Sequence, residues 1–406
     1  MGTNPHKSLS EPRARGRSKW AFFSSVPGIL TVVAGAVTTV ATIVSQSGKI
    51  VSPFRHPPKS VSEVLQVNLI YPKVVPFRLR HLMGNLTYLR WLDITIDNPS
   101  DNRLLLELSF QVQRGPATEI KNPNLVRPVE AHNRTVIRDL DPNIEFTKDD
   151  VQAGDMLQII CRVRDDQTKA LVWETTTEPI VLLPENVVDW SLTALDGSPV
   201  PQDFMFASLT TWTVTADPAV MRLLDQLQRG LRHGLDRSGS RWFAQCYARV
   251  FHNPSGVQVS SAPILFPPQA RQTVRTPSQV LESGDANVLE AALLIGALSR
   301  ARFRHKVQLV LFAVPQNQSQ SSPKDIFLSW STDEVTWQAI DLAEANSLSF
   351  DDNEKSAAAR VMKLLADDPE MSAALKETGV FLNSSHPVLA LNFLKADQTF
   401  HMTAWQ

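Results

Sequence analysis

The chain has 406 residues, 43% of them apolar and 20% charged, an ordinary globular mixture long enough for two or three domains. Its formal net charge is −1, but residues 1–60 carry eight Lys/Arg against one acid, Glu11, so the rest of the chain is acidic. A basic head on an acidic body excludes an ordinary nucleic-acid binder, whose basic patch lies on the folded domain. Two cysteines, Cys161 and Cys246, exclude a disulfide framework and a cysteine metal site, and read as buried free thiols.

Taken in chain order, residues 1–19 form a basic tail. Residues 20–48 contain no charged side chain, and the strongly apolar part runs from Pro27 to Val44. About 20 apolar residues in a helix cross the ~30 Å hydrocarbon core of a bilayer, so a single-pass transmembrane helix is expected. Pro27 suits a first helical turn, Ser24 and Ser25 can cap it, and Trp20, Phe22 and Phe23 fit an interfacial belt. Val33-Ala34-Gly35-Ala36 offers the alternative of a cleaved signal segment. Gly28, Ala34, Gly35, Ala36 and Ala41 permit close helix packing, hence a homo-oligomer. Five basic residues precede the span and three follow it, which favours an inside N-terminus. The run SSVPGILTVVAGAV instead resembles short anchors beside intracellular bacterial signalling modules, so the side of the soluble part stays open.

Residues 49–60 are a Pro-rich basic linker. From 61 to 190, short runs that alternate or are β-branched follow one another: Val64–Tyr71, Leu89–Ile96, Leu104–Gln113, Met156–Arg164, Ala170–Thr175 and Ile180–Leu183. Turn signals such as Asn98-Pro99-Ser100 and Asp141-Pro142-Asn143 separate them. This pattern predicts an all-β, Ig-like antiparallel sandwich. Asp149-Asp150 lacks the further oxygen ligands a calcium loop needs and reads as a solvated turn.

From 200 to 406 the pattern changes to α+β. Val220, Leu223, Leu224, Leu227 and Leu231 share one face of a helix over Ala219–Leu235, and a second helix is expected over Arg241–Phe251. A third covers Val288–Arg300. Strands follow at Val307–Val314, Ile326–Trp330 and Trp337–Leu342, then a helix at Ala357–Leu365, and His386–Gln406 reads as strand. No phosphate loop, dinucleotide fingerprint, G-x-S-x-G or H-E-x-x-H motif occurs. No cofactor is implied.

The run TVRTPSQVLESGDANVLEAALLIGALSRA, followed by KVQLVLFAVPQNQS and FLSWSTDEVTWQAIDL, resembles the core of transglutaminase-like, papain-type cysteine proteins. Pro179–Trp190 is similar in part to the end of the β-sandwich that precedes this core in bacterial multidomain proteins. The resemblance implies a cysteine at a helix N-terminus, a histidine on a strand and an aspartate on the next. Those positions hold Val288, Asn317 and Asp341. Valine has no nucleophilic atom and asparagine no titratable one, so the expected activity is absent. The chain then reads as a membrane-anchored pseudoenzyme that binds an as yet unknown protein partner as scaffold or sensor. The alternatives are a membrane-perturbing effector of a bacterial conflict system, and an active cysteine hydrolase or transamidase with a displaced nucleophile such as Cys246.

Overall fold

The computed structural model describes residues 65–82, 89–114, 117–138, 155–213, 215–230, 239–260, 271–303, 306–314, 325–333, 335–383, 388–400 and 402. In chain order the first half gives β1 (Gln66–Ile70), β2 (Val74–Pro76), a 3-10 turn (Phe77–Leu82), β3 (Asp93–Asn98), β4 (Leu104–Arg114), β5 (Ala117–Val129), β6 (Asn133–Ile137), β7 (Met156–Asp165), β8 (Leu171–Thr176), β9 (Ile180–Leu183) and β10 (Val187–Asp189). The second half begins with α1 (Gln202–Ala207), a 3-10 turn (Ser208–Trp212), α2 (Pro218–Gly230), α3 (Ser240–Phe251), β11 (Gln258–Ser260), β12 (Arg271–Thr273), α4 (Pro277–Ser283), β13 (Asp285–Asn287) and α5 (Val288–Phe303). It ends with β14 (Gln308–Val314), β15 (Asp325–Ser331), β16 (Gln338–Asp341), α6 (Phe350–Asp367), α7 (Pro369–Glu377), β17 (Val380–Asn383), β18 (Val388–Asn392) and α8 (Phe393–Phe400).

The strands build a three-stranded sheet, β1-β3-β6, and a six-stranded sheet, β2-β9-β7-β4-β5 with β8 also on β7. A five-stranded sheet, β16-β15-β14-β18-β17, serves the second half. Alternation sorts its side chains. Leu309, Leu311 and Ala313 of β14 point into the main core, whereas Val310 and Phe312 join a second apolar cluster with Ala357 and Val361 of α6 and Met371 and Leu375 of α7. Helix α5 lies on the first face. Every residue from Val288 to Ser299 is buried, so the helix is enclosed on all sides. A Cβ at Gly296 would stand 3.1 Å from Thr213 Cγ2, which measures how closely the preceding 3-10 segment approaches it.

The layout expected from the sequence is overturned. It placed a transmembrane helix, an all-β Ig-like sandwich and an α+β papain- or transglutaminase-like domain one after another. No helix among the described residues is long and apolar enough to cross a membrane, and residues 20–48 lie outside them. Residues 57–406 instead form one compact, mixed α/β unit. A single apolar cluster runs from Leu65 through Ile94, Leu106 and Val163 to Leu293, Leu311 and Met402. The supposed boundary near residues 190–200 is bridged by β10 pairing with β12. Arg78, from the first 3-10 turn, crosses it too, donating to the Glu185 and Thr211 carbonyls at 3.1 and 3.4 Å. The β2–β9 pair is parallel, which an all-antiparallel sandwich does not contain. At the C-terminus, the expected strand is β18 followed by α8, because Asn392 Oδ1 accepts the Lys395 N–H at 3.1 Å and turns the chain into a helix.

Gly379, between α7 and β17, has φ +82°, and a Cβ there would collide with the Ala396 backbone nitrogen. Gly284 has φ +72° but open space around it. Gly284→Ala is expected to cost about 1 kcal/mol, from backbone strain alone. Gly379→Ala is expected to cost about 3 kcal/mol or more, because backbone must move as well. Urea unfolding of the two variants side by side measures the difference.

Candidate functional site

The start of α5 is built by two successive capping boxes. Thr276 opens α4: its hydroxyl accepts the Gln279 N–H at 3.3 Å, and Gln279 Oε1 accepts the Thr276 N–H at 2.9 Å. Pro277 stands at the first helical position, where its missing N–H is harmless. Gly284 ends that helix in the left-handed region, and β13 then pairs in parallel with β11. At the second box, Asn287 Oδ1 accepts the Glu290 N–H at 2.9 Å, while Glu290 Oε2 accepts the Asn287 N–H at 3.0 Å.

Glu290 is only 3% exposed and would be costly to bury charged without a partner. Arg275 supplies it. The Arg275 main-chain N–H donates to Oε1 at 2.8 Å, Nη2 to Oε2 at 2.8 Å, and Nε to both oxygens at 3.2 Å. Its remaining nitrogen, Nη1, reaches Asp285 at 3.1 Å and Ser283 Oγ at 3.0 Å. Val288, the residue at the expected nucleophile position, is the first of α5 and sits buried in the main core.

Asp341 is not part of this arrangement. It ends β16 opposite Phe327, on the face shared with Ala339, so the five-stranded sheet stands between its carboxylate and α5. There it accepts the Ala343 N–H at 2.9 Å and an Arg360 N–H at 3.2 Å. Arg360, on α6, lies over the Phe327 ring at 4.5 Å and also binds Asp325. Asn353, at the start of α6, accepts the Asp341 N–H, donates to its carbonyl, and donates to the Tyr247 hydroxyl at 3.0 Å. Asp341 therefore fastens the sheet to α6. Asn317 lies outside the described residues. Of the three positions singled out in the sequence, Val288 and Asp341 are described, and the fold places them on opposite faces of one sheet.

The two cysteines are Cys161 on β7 and Cys246 on α3. Both are free and buried. Burial pushes the Cys161 thiol on β7 up to about 12 and the Cys246 thiol on α3 higher still, so both stay protonated and unreactive. Among the described residues no group of three or more His, Cys, Asp or Glu is gathered as metal ligands. The sequence reading passed over Arg275 and Glu290, although Asn287-x-x-Glu290 ahead of an apolar run is a readable capping-box signal.

No family model matches the chain, and no curated protein matches it. Among solved structures it is similar in part to Bacteroides uniformis β-glucuronidase 2 bound to a cyclophellitol-derived aziridine, at 18% identity over 21% of this chain and 10% of that one, with a TM-score of 0.13. A second Bacteroides uniformis β-glucuronidase structure matches at 14% identity over 35% of this chain and 16% of that one, with a TM-score of 0.15. A calcium-binding variant of β-glucuronidase 2 matches at 14% identity over 33% and 20%, with a TM-score of 0.14. The chain spans between a tenth and a fifth of these enzymes, and the likeness carries no argument about its activity.

Burial raises the Asp341 carboxyl to about 6, above its ordinary range. Between pH 4 and pH 6 the folded state then holds a proton that the unfolded chain has released, so stability falls as pH rises through this window. Asp341→Asn removes that dependence. The wild-type minus variant difference in urea stability is expected to decline by about 1–3 kcal/mol from pH 4 to pH 7. Arg275→Met is expected to cost about 3–5 kcal/mol at neutral pH, because it strands the Glu290 carboxylate. Glu290→Gln in the same background is expected to recover part of that loss, read by the same unfolding curves.

Proposed function

We propose that the chain works by binding and not by catalysis, as a scaffold or sensor for a protein partner. The observation that carries this reading is the closed start of α5. A side chain without a nucleophilic atom, Val288, occupies the position, and the helix start is capped by Asn287 and Glu290, with Arg275 on the Glu290 carboxylate. The carboxylate that a triad would need, Asp341, is engaged with Arg360 across the sheet. Two buried, protonated thiols leave no alternative nucleophile among the cysteines. A valine in place of a thiol costs the core little, so such a fold persists without activity. Attachment to a membrane enters this proposal from the composition of residues 20–48 alone.

Purified protein is expected to show no thiol-dependent hydrolase or transamidase turnover on peptide and amide substrates. Under native conditions iodoacetamide is expected to leave Cys161 and Cys246 unmodified, with both labelled once the chain unfolds. Turnover that disappears in Cys246→Ala or Asp341→Ala, while the fold survives by circular dichroism, would sink the proposal.

A further inference from the structure

Two adjoining grooves open at the end of the five-stranded sheet where β14 and β16 begin and β15 and β18 end, away from the start of α5. They share Gln308, Leu375, Lys376 and Asn392. The first, of about 270 Å³, has an apolar wall made by Val335 and Trp337 ahead of β16 and by Met362 and Leu365 of α6. The second, of about 370 Å³, is walled by Lys306, Lys376 and Lys395 with Ser331 and Thr332 beside them. Between them Asn392, only 3% exposed, donates to Gln308 Oε1 at 3.1 Å and accepts the Lys395 N–H, which fixes a polar floor.

Three features mark this place as a surface for a ligand. Val335 is 73% exposed and Met362 44%, and both line the same groove. Loose backbone does not account for this exposure. Asp333 accepts the Val335 and Thr336 N–H groups at 3.0 and 2.8 Å, so the turn presents Val335 in a fixed place. The three lysine ammonium groups form no ion pair among the described residues, and no carboxylate is found among the described residues that line either groove. In a chain whose acids outnumber its bases beyond residue 60, a local cluster of cations without an ion pair among the described residues, next to exposed apolar side chains, is complementary to an anion with apolar anchors.

We propose that this double groove binds an acidic peptide segment of a partner protein. One or two large apolar side chains seat between Val335, Trp337, Met362 and Leu365, and the following carboxylates lie along Lys306, Lys376 and Lys395. The relative sizes favour a peptide over a fatty acid. The cationic groove is the larger of the two, which suits several carboxylates and not a single head group on a long chain. The apolar anchors supply most of the affinity, and the lysines supply rate, register and salt sensitivity. The proposal rests on the reading of the chain as a binding module and names the chemistry of its partner.

The test is fluorescence anisotropy of the full chain with a fluorescein-labelled synthetic peptide carrying a Leu-Trp-Leu anchor followed by a run of glutamates. Saturable binding is expected, weakened about tenfold or more as salt rises from about 50 mM to about 500 mM. The double variant Lys376→Glu/Lys395→Glu and the exposed-site variant Val335→Asp are each expected to lower affinity about tenfold, with unfolding midpoints unchanged. The same peptide with lysines for glutamates is expected not to bind. Unchanged affinity in both variants overturns the proposal. So does capture of phosphatidylserine vesicles or dodecanoate, sensitive to the same variants, by a protein that ignores the peptide. Absence of peptide binding without turnover defeats only the groove assignment, whereas thiol-dependent turnover defeats the binding-module reading whatever the peptide does.

Discussion

Helix α5 is buried on every face from Val288 to Ser299, and its neighbours are arranged to enclose it. A helix of this kind cannot lie on the surface of a soluble unit, since each fully buried Leu or Ile contributes about 1.5–3 kcal/mol that exposure would forfeit. Leu289, Leu293, Leu294, Ile295 and Leu298 are all at most 1% exposed. The five-stranded sheet covers one side. On another, the 3-10 segment before α2 approaches so closely that a Cβ at position 296 would press on the Thr213 methyl. Core residues from the first half, including Leu104, Phe110 and Val163, belong to the same apolar cluster. One apolar cluster thus holds residues of both halves of the chain.

Charged groups appear within this core where two pieces must be held in register. Arg300, near the end of α5, donates to the Thr210 carbonyl, the Thr213 hydroxyl and Asp397 at 3.2, 2.6 and 2.9 Å, tying the 3-10 segment and α8 to the buried helix. Arg78 does the same between the halves, near Glu185 and the Trp212 ring. Burial lowers the pKa of both guanidiniums, without bringing a guanidinium near deprotonation at neutral pH. Such buried pairs add little net stability over a well-packed apolar substitute, but removing one partner is costly. Their effect is to permit one alignment of the packed pieces and penalise others.

Period and β-branching were enough to read many of the elements from the sequence. Ile180–Leu183 is a strand to the residue, Arg241–Phe251 coincides with α3 within a residue, and Val288 is the first residue of α5. The long strand β5 was missed because Asn122, Pro123 and Pro128 read as breakers, yet β5 is an edge strand, where proline is tolerated. Val188 and Trp190 look like the close of one unit, but both are buried in the common core, and Asp189 between them pairs with Arg271 far along the chain. Which face of a sheet a residue occupies depends on register, which a motif alone does not specify. Asp341 was therefore legible as a strand-end carboxylate and illegible as one turned toward α6.

The start of α5 explains why a cysteine introduced at position 288 would lack the environment of a reactive thiolate. A helix N-terminus favours an anion through its unpaired N–H groups and dipole, and a thiolate draws on that stabilisation. Here Glu290 already supplies an anion at the first turn, and the Glu290 N–H is taken by Asn287. Arg275 in turn neutralises Glu290 and does not stand free to attract a second negative charge. A new thiol at 288 would lie in an apolar surrounding with no free cation beside it among the described residues, which favours the protonated form. Capping this helix with a buried ion pair gives a stable end and occupies the electrostatic field that a thiolate at position 288 would need.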